Sequence, residues 1–378
     1  MKYLCLILLA TSVAGRFTED FYRLLAKDNA QKNLISSPLS VEIAMAMAYM
    51  GAEGETADEL RTALKLPMDK KQVASKYRKL LSDLQGREKD VILDLANRIY
   101  INNEYSLVPE YNEVLRNSFQ AEAVPISLSN AENAADIVNQ WVSNQTRGKI
   151  NEVVTPEDMS TDLRALLLNA IYFKGEWKYK FNKELSKQKD FQISATERIP
   201  VTMMTMRGTL KADYLYDLDA KVIELPYRNS SLSMLIFLPN KVGRLSELED
   251  KIIGFSRPLD KRNVLVELPK FKIEFEKELN SYLKRLGIRK AFSDSANFEG
   301  LVKKSQIHID KVLQKAFVEV NEEGAEAAAV TVVEIFKRHS VNLRPEVILF
   351  EFKADHPFAY IIRDENTVYF QGHVVNPK

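Results

Sequence analysis

The segment Glu322–Ser340, EEGAEAAAVTVVEIFKRHS, contradicts itself. Its Ala- and Glu-rich beginning favours helix, Val330-Thr331-Val332-Val333 favours strand, and it ends on the cations Lys337 and Arg338. Local preferences that disagree over so few residues point either to poor design or to a segment with two states. Taken as a strand, every second residue from Ala325 (Ala325, Ala327, Ala329, Thr331, Val333, Ile335) is uncharged, and the series grows in size along the chain. Glu326 and Glu334 share the opposite face. The alanines remove bulk at the end that would enter first, which suits a peptide that slides between two existing strands. Gly324 supplies a permissive hinge, and Glu322 and Glu323 are expected to keep the base of that hinge solvated. Beyond the strand, FKRHSVNLRPE is polar and basic. Lys337 and Arg338 are what the acidic specificity pocket of a trypsin-like protease binds. Arg344 is a poor alternative, because Pro345 follows it and blocks most such cleavages. Two readings compete at this point: an edge strand followed by a basic loop, and a bait loop that is cut and then inserted as a strand.

The rest of the chain narrows the setting. Its 378 residues are 28% charged and 46% hydrophobic with a formal net charge of +1, enough for one large or two ordinary domains. That balance argues against nucleic acid as a partner. The opening MKYLCLILLATSVAG carries a lysine, an apolar run from Tyr3 to Ala10 and small residues from Ser12 to Gly15. It reads as a signal peptide over residues 1–15, so the chain is expected to be secreted and extracellular. No later apolar run reaches the ~18 residues of a membrane span, so no membrane association is expected. Cys5, the only cysteine, lies in the segment expected to be removed. A secreted chain without disulfides needs a large core, which predicts one domain over residues 16–378. The sequons at Asn144 and Asn229 are candidate glycosylation sites.

Helices dominate the first half. Ser37-Pro38 caps a helical stretch through SPLSVEIAMAMAYMGAEGETADELRTAL, VASKYRKLLSDLQG is amphipathic and stops at Gly86, and AADIVNQWVSNQTRGKI ends at Gly148. After about residue 165 strands take over: LRALLLNAIYF reads as a strand buried on both faces, and KVIELPY and SLSMLIFLP as a hairpin about Arg228-Asn229-Ser230. NVLVELPKFKIEF is broken at Pro269, and VILFEF, FAYIIRD and TVYFQGHVV close the chain. Helices first and strands later, without βαβ alternation, predict an α+β fold on large antiparallel sheets.

Signs of catalysis are lacking. The four histidines, His308, His339, His356 and His373, accompany no zinc, nucleophile-elbow or phosphate-loop motif. His308 and Asp310 read as a solvated strand edge rather than metal ligands. Asp355 and His356, adjacent in an expected strand, would point to opposite faces. No catalytic residue, metal or required cofactor is expected, and the chain reads as a binding protein rather than an enzyme.

The hinge Glu322, Glu323, Gly324, Ala325, Glu326, Ala327, Ala328, Ala329 resembles that of the serpins. NLISSPLS, LNAIYFKGEW, ELPYRNSSLSMLIFLP, LPKFKIE, LGIRKAF and ADHPFAYII extend the resemblance, in order, over essentially the whole mature chain. It is most like secreted inhibitory members from insects. The resemblance implies a serpin fold of about nine helices and three β-sheets with an exposed reactive-centre loop, about residues 322–345. It also implies suicide inhibition of a serine protease by a monomer. The seventeenth residue from Glu322, where inhibitory members are cut, is Arg338, so the implied reactive bond is Arg338-His339. Phe336 and Lys337 are its specificity neighbours; they keep chymotrypsin-like and furin-like targets as alternatives, although Ile335 stands where convertases want Arg. The family further implies a sheet-opening cluster of Ser37, Ser40 and Asn169, with Gln314 where a histidine is usual. A gate built on Gln314 is expected to work with less pH sensitivity. His339 replaces the commoner serine, and Ala359 is smaller than the family signature usually has. In some members the helix carrying Lys70, Lys71, Lys76, Arg78 and Lys79 binds glycosaminoglycan, here the one candidate cofactor. A non-inhibitory carrier or chaperone-like role is the competing function; such members often carry bulky, charged or proline residues in the hinge, and the alternating set Ala325, Ala327 and Ala329 shows none.

Overall fold

The computed structural model of the protein describes residues 15–84, 91–303, 306–324 and 349–378. The signal peptide expected at residues 1–15 lies outside them except for Gly15, as do Gly86, Ala325, Glu326, Ala327, Ala328, Ala329, Phe336, Lys337, Arg338 and His339. Eight α-helices occur among the described residues: α1 (Gly15–Asp28), α2 (Pro38–Gly51), α3 (Gly54–Leu64), α4 (Lys70–Leu84), α5 (Pro109–Val114), α6 (Ala131–Gln145), α7 (Leu245–Ile252) and α8 (Asn280–Arg285). The strands are β1 (Leu34–Ser36), β2 (Val91–Asn102), β3 (Glu122–Ile126), β4 (Ala165–Gly175), β5 (Lys187–Gln192), β6 (Arg198–Leu215) and β7 (Ala220–Pro226). They continue with β8 (Ser233–Pro239), β9 (Lys261–Pro269), β10 (Phe271–Glu278), β11 (Lys311–Val320), β12 (Phe350–Lys353), β13 (Phe358–Arg363) and β14 (Val368–Val374).

The strands form two hydrogen-bonded networks, one of nine strands ordered β1-β14-β13-β8-β7-β6-β9-β12 with β5 also on β6, and one of five ordered β10-β11-β4-β2-β3. Three sheets become two networks because β6 passes from partner to partner. It pairs with β5 up to Met203, with β9 from Met203 to Lys211, and with β7 from Lys211 to Leu215. Pro269 does more than interrupt a strand: β9 before it belongs to the larger network and β10 after it to the smaller.

Three local expectations change. The long helix predicted after Ser37 breaks at Ala52, which is extended, and restarts at Gly54 with φ +54°. A Cβ on Gly51 would stand 2.9 Å from Leu301 Cβ and 3.0 Å from the Tyr111 ring, so packing, not propensity, bends the chain there. The first half also supplies β2, a strand in the interior of the five-stranded sheet; Asp94, Asn97 and Arg98 interrupt its apolar pattern and hide it from a periodicity search. Finally, the sheets are not wholly antiparallel, since β11·β4, β2·β3 and β12·β9 are parallel.

β4 is buried along nearly its whole length, as an apolar run without alternation requires. Leu167, Ile171 and Phe173 share a core with α2, while Leu166, Leu168, Ala170 and Tyr172 pack with Ala134, Ala135, Val138 and Val142 of α6.

A buried ion pair ties the termini of the fold together. His373 on β14 is fully buried, with Nδ1 2.8 Å from Glu249 Oε1 and Nε2 2.7 Å from Lys32 O and 3.2 Å from Asn29 O. Tyr22 donates to the same Glu249 oxygen at 2.7 Å. Both ring nitrogens face only acceptors, so the geometry requires an imidazolium. Burial pushes the imidazole down, but Glu249 and the two carbonyls more than reverse this and hold it above the ordinary value. The folded value exceeds the unfolded one, so this stabilisation is fully present below about pH 6.5 and is lost as pH rises through the folded value. Thermal unfolding is expected to shift downward by a few degrees across that rise, and His373→Lys, which keeps its charge there, is expected to flatten the profile. A wild-type profile as flat as that of the variant would refute the assignment.

Candidate functional site

β11 and β4 lie side by side and parallel, in register from Lys311↔Leu166 to Phe317↔Tyr172. On its other edge β11 pairs with β10 as far as Val320↔Phe271. The paired seam between β4 and β11 therefore stops short of the end of β11, and residues 321–324 turn against Gly175, Glu176 and Trp177 at the end of β4. Trp177 holds that turn: its N–H donates to Glu323 O at 3.0 Å and its indole Nε1 to Asn321 O at 2.9 Å. Phe181 N–H donates to Glu322 O at 2.9 Å. The indole is buried and stacked on Tyr227, with ring centroids 4.7 Å apart. Gly324 has φ +111°, and a Cβ there would lie 2.1 Å from Gly175 O, so the hinge glycine is required by tertiary contact as well as by its dihedral.

The two glutamates before that glycine are not solvated, contrary to the sequence-based expectation. Glu322 and Glu323 are only 5% and 8% exposed. Lys270 Nζ stands 2.9 Å from Glu322 Oε2, Ser186 Oγ donates to Oε1 at 2.9 Å, and Lys183 pairs with Glu323. Burial pushes the Glu322 carboxyl up, but Lys270, its own backbone N–H and Ser186 together hold it below the usual carboxylate range. These partners sit at Lys270, between β9 and β10, and at Lys183 and Ser186, just before β5, all of them distant from Glu322 in sequence.

Further down the seam, Ser37, Ser40, Asn169 and Gln314 do come together, all completely buried. Gln314 Nε2 donates across the seam to Asn169 Oδ1 at 2.8 Å and to Ser37 O at 3.4 Å. Asn169 Nδ2 donates to Ser40 Oγ and, at 2.7 Å, to Asn97 Oδ1. Ser37 caps α2, accepting from Ser40 N–H at 3.2 Å. Two members escape a reading of the sequence. Asn97 lies opposite Asn169, which lies opposite Gln314, so three amides form one row across β2, β4 and β11. Recognising β2 as a strand is the signal that would find it. Ser36, on β1, donates its hydroxyl to Gln314 Oε1 at 2.7 Å. The amide of Gln314 bears no titratable proton, so this row carries no charge at any ordinary pH.

The remaining sequence candidates are dispersed. On α4, Lys70 bonds Ala52 O at 2.6 Å and Glu53 at 2.9 Å, Lys76 pairs with the buried Glu42 at 3.1 Å, and Arg78 bonds Asn117 O at 2.9 Å. Lys71 and Lys79 are exposed, and the spacing of the five cations does not place them on one helical face. Asn229 lies in the turn of the β7–β8 hairpin with φ +47°. Asn144 is exposed, but Thr146 of its sequon is buried, with its hydroxyl bonded to Val142 O and Ile150 at the end of α6. His308 and Asp310 are bonded to each other at 3.1 Å, His308 to the Arg164 side chain, and Asp310 to the backbone N–H groups of Arg164 and Ala165. Asp355 and His356 do interact, at 2.8 Å, because they lie between β12 and β13 rather than in a strand; the other ring nitrogen is 2.7 Å from Pro239 O, which leaves it no free base. Among the described residues no cluster of three or more His, Cys, Asp or Glu side chains is placed to hold a metal ion, and no helix is long and apolar enough to cross a membrane.

β4 and β11 are thus parallel neighbours, and a glycine hinge is anchored just past their last paired residues. A family model described as serpin (serine protease inhibitor) matches residues 12–377. The chain belongs to the serpins, and by that membership it is a protease inhibitor rather than an enzyme. It is similar to serine protease inhibitor 42Dd of Drosophila melanogaster, 51% identical over 379 residues and the full length of both chains. It is also similar to the leukocyte elastase inhibitor of Homo sapiens, 36% identical over 97% of this chain and 99% of that one. Among solved structures it resembles Serpin48 of the insect Tenebrio molitor, with a TM-score of 0.87 and 32% identity over 96% of each chain.

Proposed function

We propose that this serpin is a secreted suicide inhibitor of trypsin-like serine proteases, cleaved at Arg338-His339. The observation that carries the reading is the direction of the seam. β4 and β11 are parallel, and the chain leaves β11 through the turn at residues 321–324. A strand that follows this turn and lies between them runs antiparallel to both, so it can form the stronger kind of ladder on each edge. Ala325, Ala327, Ala329, Thr331, Val333 and Ile335 give such a strand one uncharged face.

The protease serine attacks the Arg338 carbonyl; the peptide bond to His339 breaks, an ester forms, and the amine of His339 leaves with a proton from the protease histidine. Freed at that end, the segment after Gly324 enters the seam and carries the acylated protease with it, before water can hydrolyse the ester. About a dozen inserted residues form up to roughly 20 ladder hydrogen bonds at about 0.5–1.5 kcal/mol net each, against the smaller parallel ladder between β4 and β11 that insertion breaks. The uncleaved state is a kinetic trap whose energy is released by that cut. Gln314 and Asn169 bond across the seam and have to part, so we assign Ser37, Ser40, Asn169 and Gln314, with Ser36 and Asn97, to the control of opening. Of the two sequons, Asn229 is the one we assign to a glycan, because it sits in a hairpin turn, whereas the Asn144 sequon has its threonine buried.

The relatives include one named for elastase, so target choice is read from the loop and not from the fold. A panel of trypsin-like, chymotrypsin-like and furin-like proteases, scored on denaturing gels with mass spectrometry of the released fragment, tests the reading. Stable complexes with the trypsin-like members and a fragment beginning at His339 are expected. Cleavage without complexes, or a fragment beginning elsewhere, would reject it.

A further inference from the structure

We infer that Ser36 is a positioning residue of the seam, its hydroxyl holding the Gln314 amide in the one orientation that bonds β11 to β4. The hydrogen bonds of the cluster have a single consistent direction. Ser36 donates to Gln314 Oε1, Gln314 Nε2 donates to Asn169 Oδ1, and Asn169 Nδ2 donates to Asn97 Oδ1 and Ser40 Oγ. Turning the Gln314 amide over would set its oxygen against Asn169 Oδ1 and Ser37 O, both acceptors. Turning Asn169 as well would set its own oxygen against Asn97 Oδ1, another acceptor. Ser36 is therefore the donor that completes the favoured orientation; without it, Gln314 Oε1 is a fully buried acceptor with no partner.

The place of Ser36 in the fold makes this more than local packing. It sits on β1, opposite Gln371 of β14, in the nine-stranded sheet, which contributes no strand to the seam. Its hydroxyl thus pins a seam residue to a sheet outside the seam. In the closed state Gln314 is held from two sides, by Ser36 and Ser37 and by Asn169. When the seam opens the Asn169 bond is lost in any case, and the amide is free to reorient. Loss of the Ser36 hydroxyl therefore penalises the closed state more than the open one, and opening becomes easier. The consequence for inhibition rests on the proposed inhibitory function; the effect on the seam does not.

The test is hydrogen exchange on the full-length uncleaved protein, comparing wild type, Ser36→Ala, Ser36→Thr, Gln314→Ala and the Ser36→Ala/Gln314→Ala double variant. In Ser36→Ala, amides of 166–172 and 311–317 are expected to exchange about ten- to hundredfold faster, while those of β13 and α7 stay unchanged. Ser36→Thr, which keeps the hydroxyl, is expected to restore protection, and Ser36→Ala is expected to add nothing to Gln314→Ala. Uniform acceleration over the whole protein, or a Ser36→Ala effect that persists undiminished without Gln314, would overturn the inference. A faster seam in a protein that forms no protease complex would instead count against the inhibitory reading and leave the role of Ser36 standing.

Discussion

Arg338→Ala abolishes the denaturant-stable complex with trypsin-like proteases, with the rate of inhibition expected to fall by about 10⁴-fold. A specificity pocket built around a buried carboxylate is left with an unpaired charge when alanine enters it, which is far worse than losing a favourable contact. The neighbouring cation does not rescue the variant, because Lys337 is one residue out of register with the count from Glu322. Lys337→Ala is expected to change the rate by less than about tenfold, since it removes one subsite contact. The same Arg338→Ala protein, cut in the loop by a protease that prefers small residues, is expected to gain thermal stability as the wild type does. Recognition and insertion are thereby separated. An Arg338→Ala variant that still traps trypsin, with Lys337→Ala failing, would move the reactive bond by one residue.

Ala327→Glu is expected to convert the inhibitor into a substrate. Ala327 belongs to the uncharged series that alternates from Ala325, and a carboxylate there would enter the interior of a sheet whose flanking strands, β4 and β11, are almost entirely buried. An unpaired charge in that setting costs several kcal/mol. Each 1.4 kcal/mol of slowed insertion favours hydrolysis of the acyl-enzyme by about tenfold. Cleavage at Arg338 should proceed at the wild-type rate, complex yield should fall at least about tenfold, and the cleaved product should show no rise in unfolding temperature. Glu326→Gln, on the opposite face, is the control and is expected to inhibit normally. The chain has two tryptophans, and Trp177 bonds the carbonyls of Asn321 and Glu323, so its fluorescence should report insertion in the wild type and stay unchanged in Ala327→Glu. A glutamate variant that traps protease as well as the wild type would show that this face is not the one buried.

Much of the molecule is legible in its order of residues alone. The alternation after Gly324, the continuous apolar run of β4, the cap at Ser37-Pro38 and the hairpin about Asn229 are all written within a few consecutive residues. Short-range stereochemistry is enough to read them. The order of short motifs along the chain does the rest for the fold, and the family match confirms it. What stays hidden has partners far away in sequence. Glu322 and Glu323 look solvated by composition, yet they are buried against Lys270 and Lys183. β2 is too polar to announce itself, and Asn97 is hidden with it.

By itself, then, the sequence determined the family, and it supplied the expected hinge, the face expected to be uncharged and the basic residues at which cleavage is proposed. These depend on the order and spacing of side chains along one strand of chain. Only the tertiary structure decided that β4 and β11 are parallel neighbours, that the seam stops short of the hinge, and that Ser36 and Asn97 join Gln314 and Asn169 across it. Register between strands that are distant in sequence is set by the packing of the whole sheet, and a hydrogen bond between two amides exists only once that register brings them together.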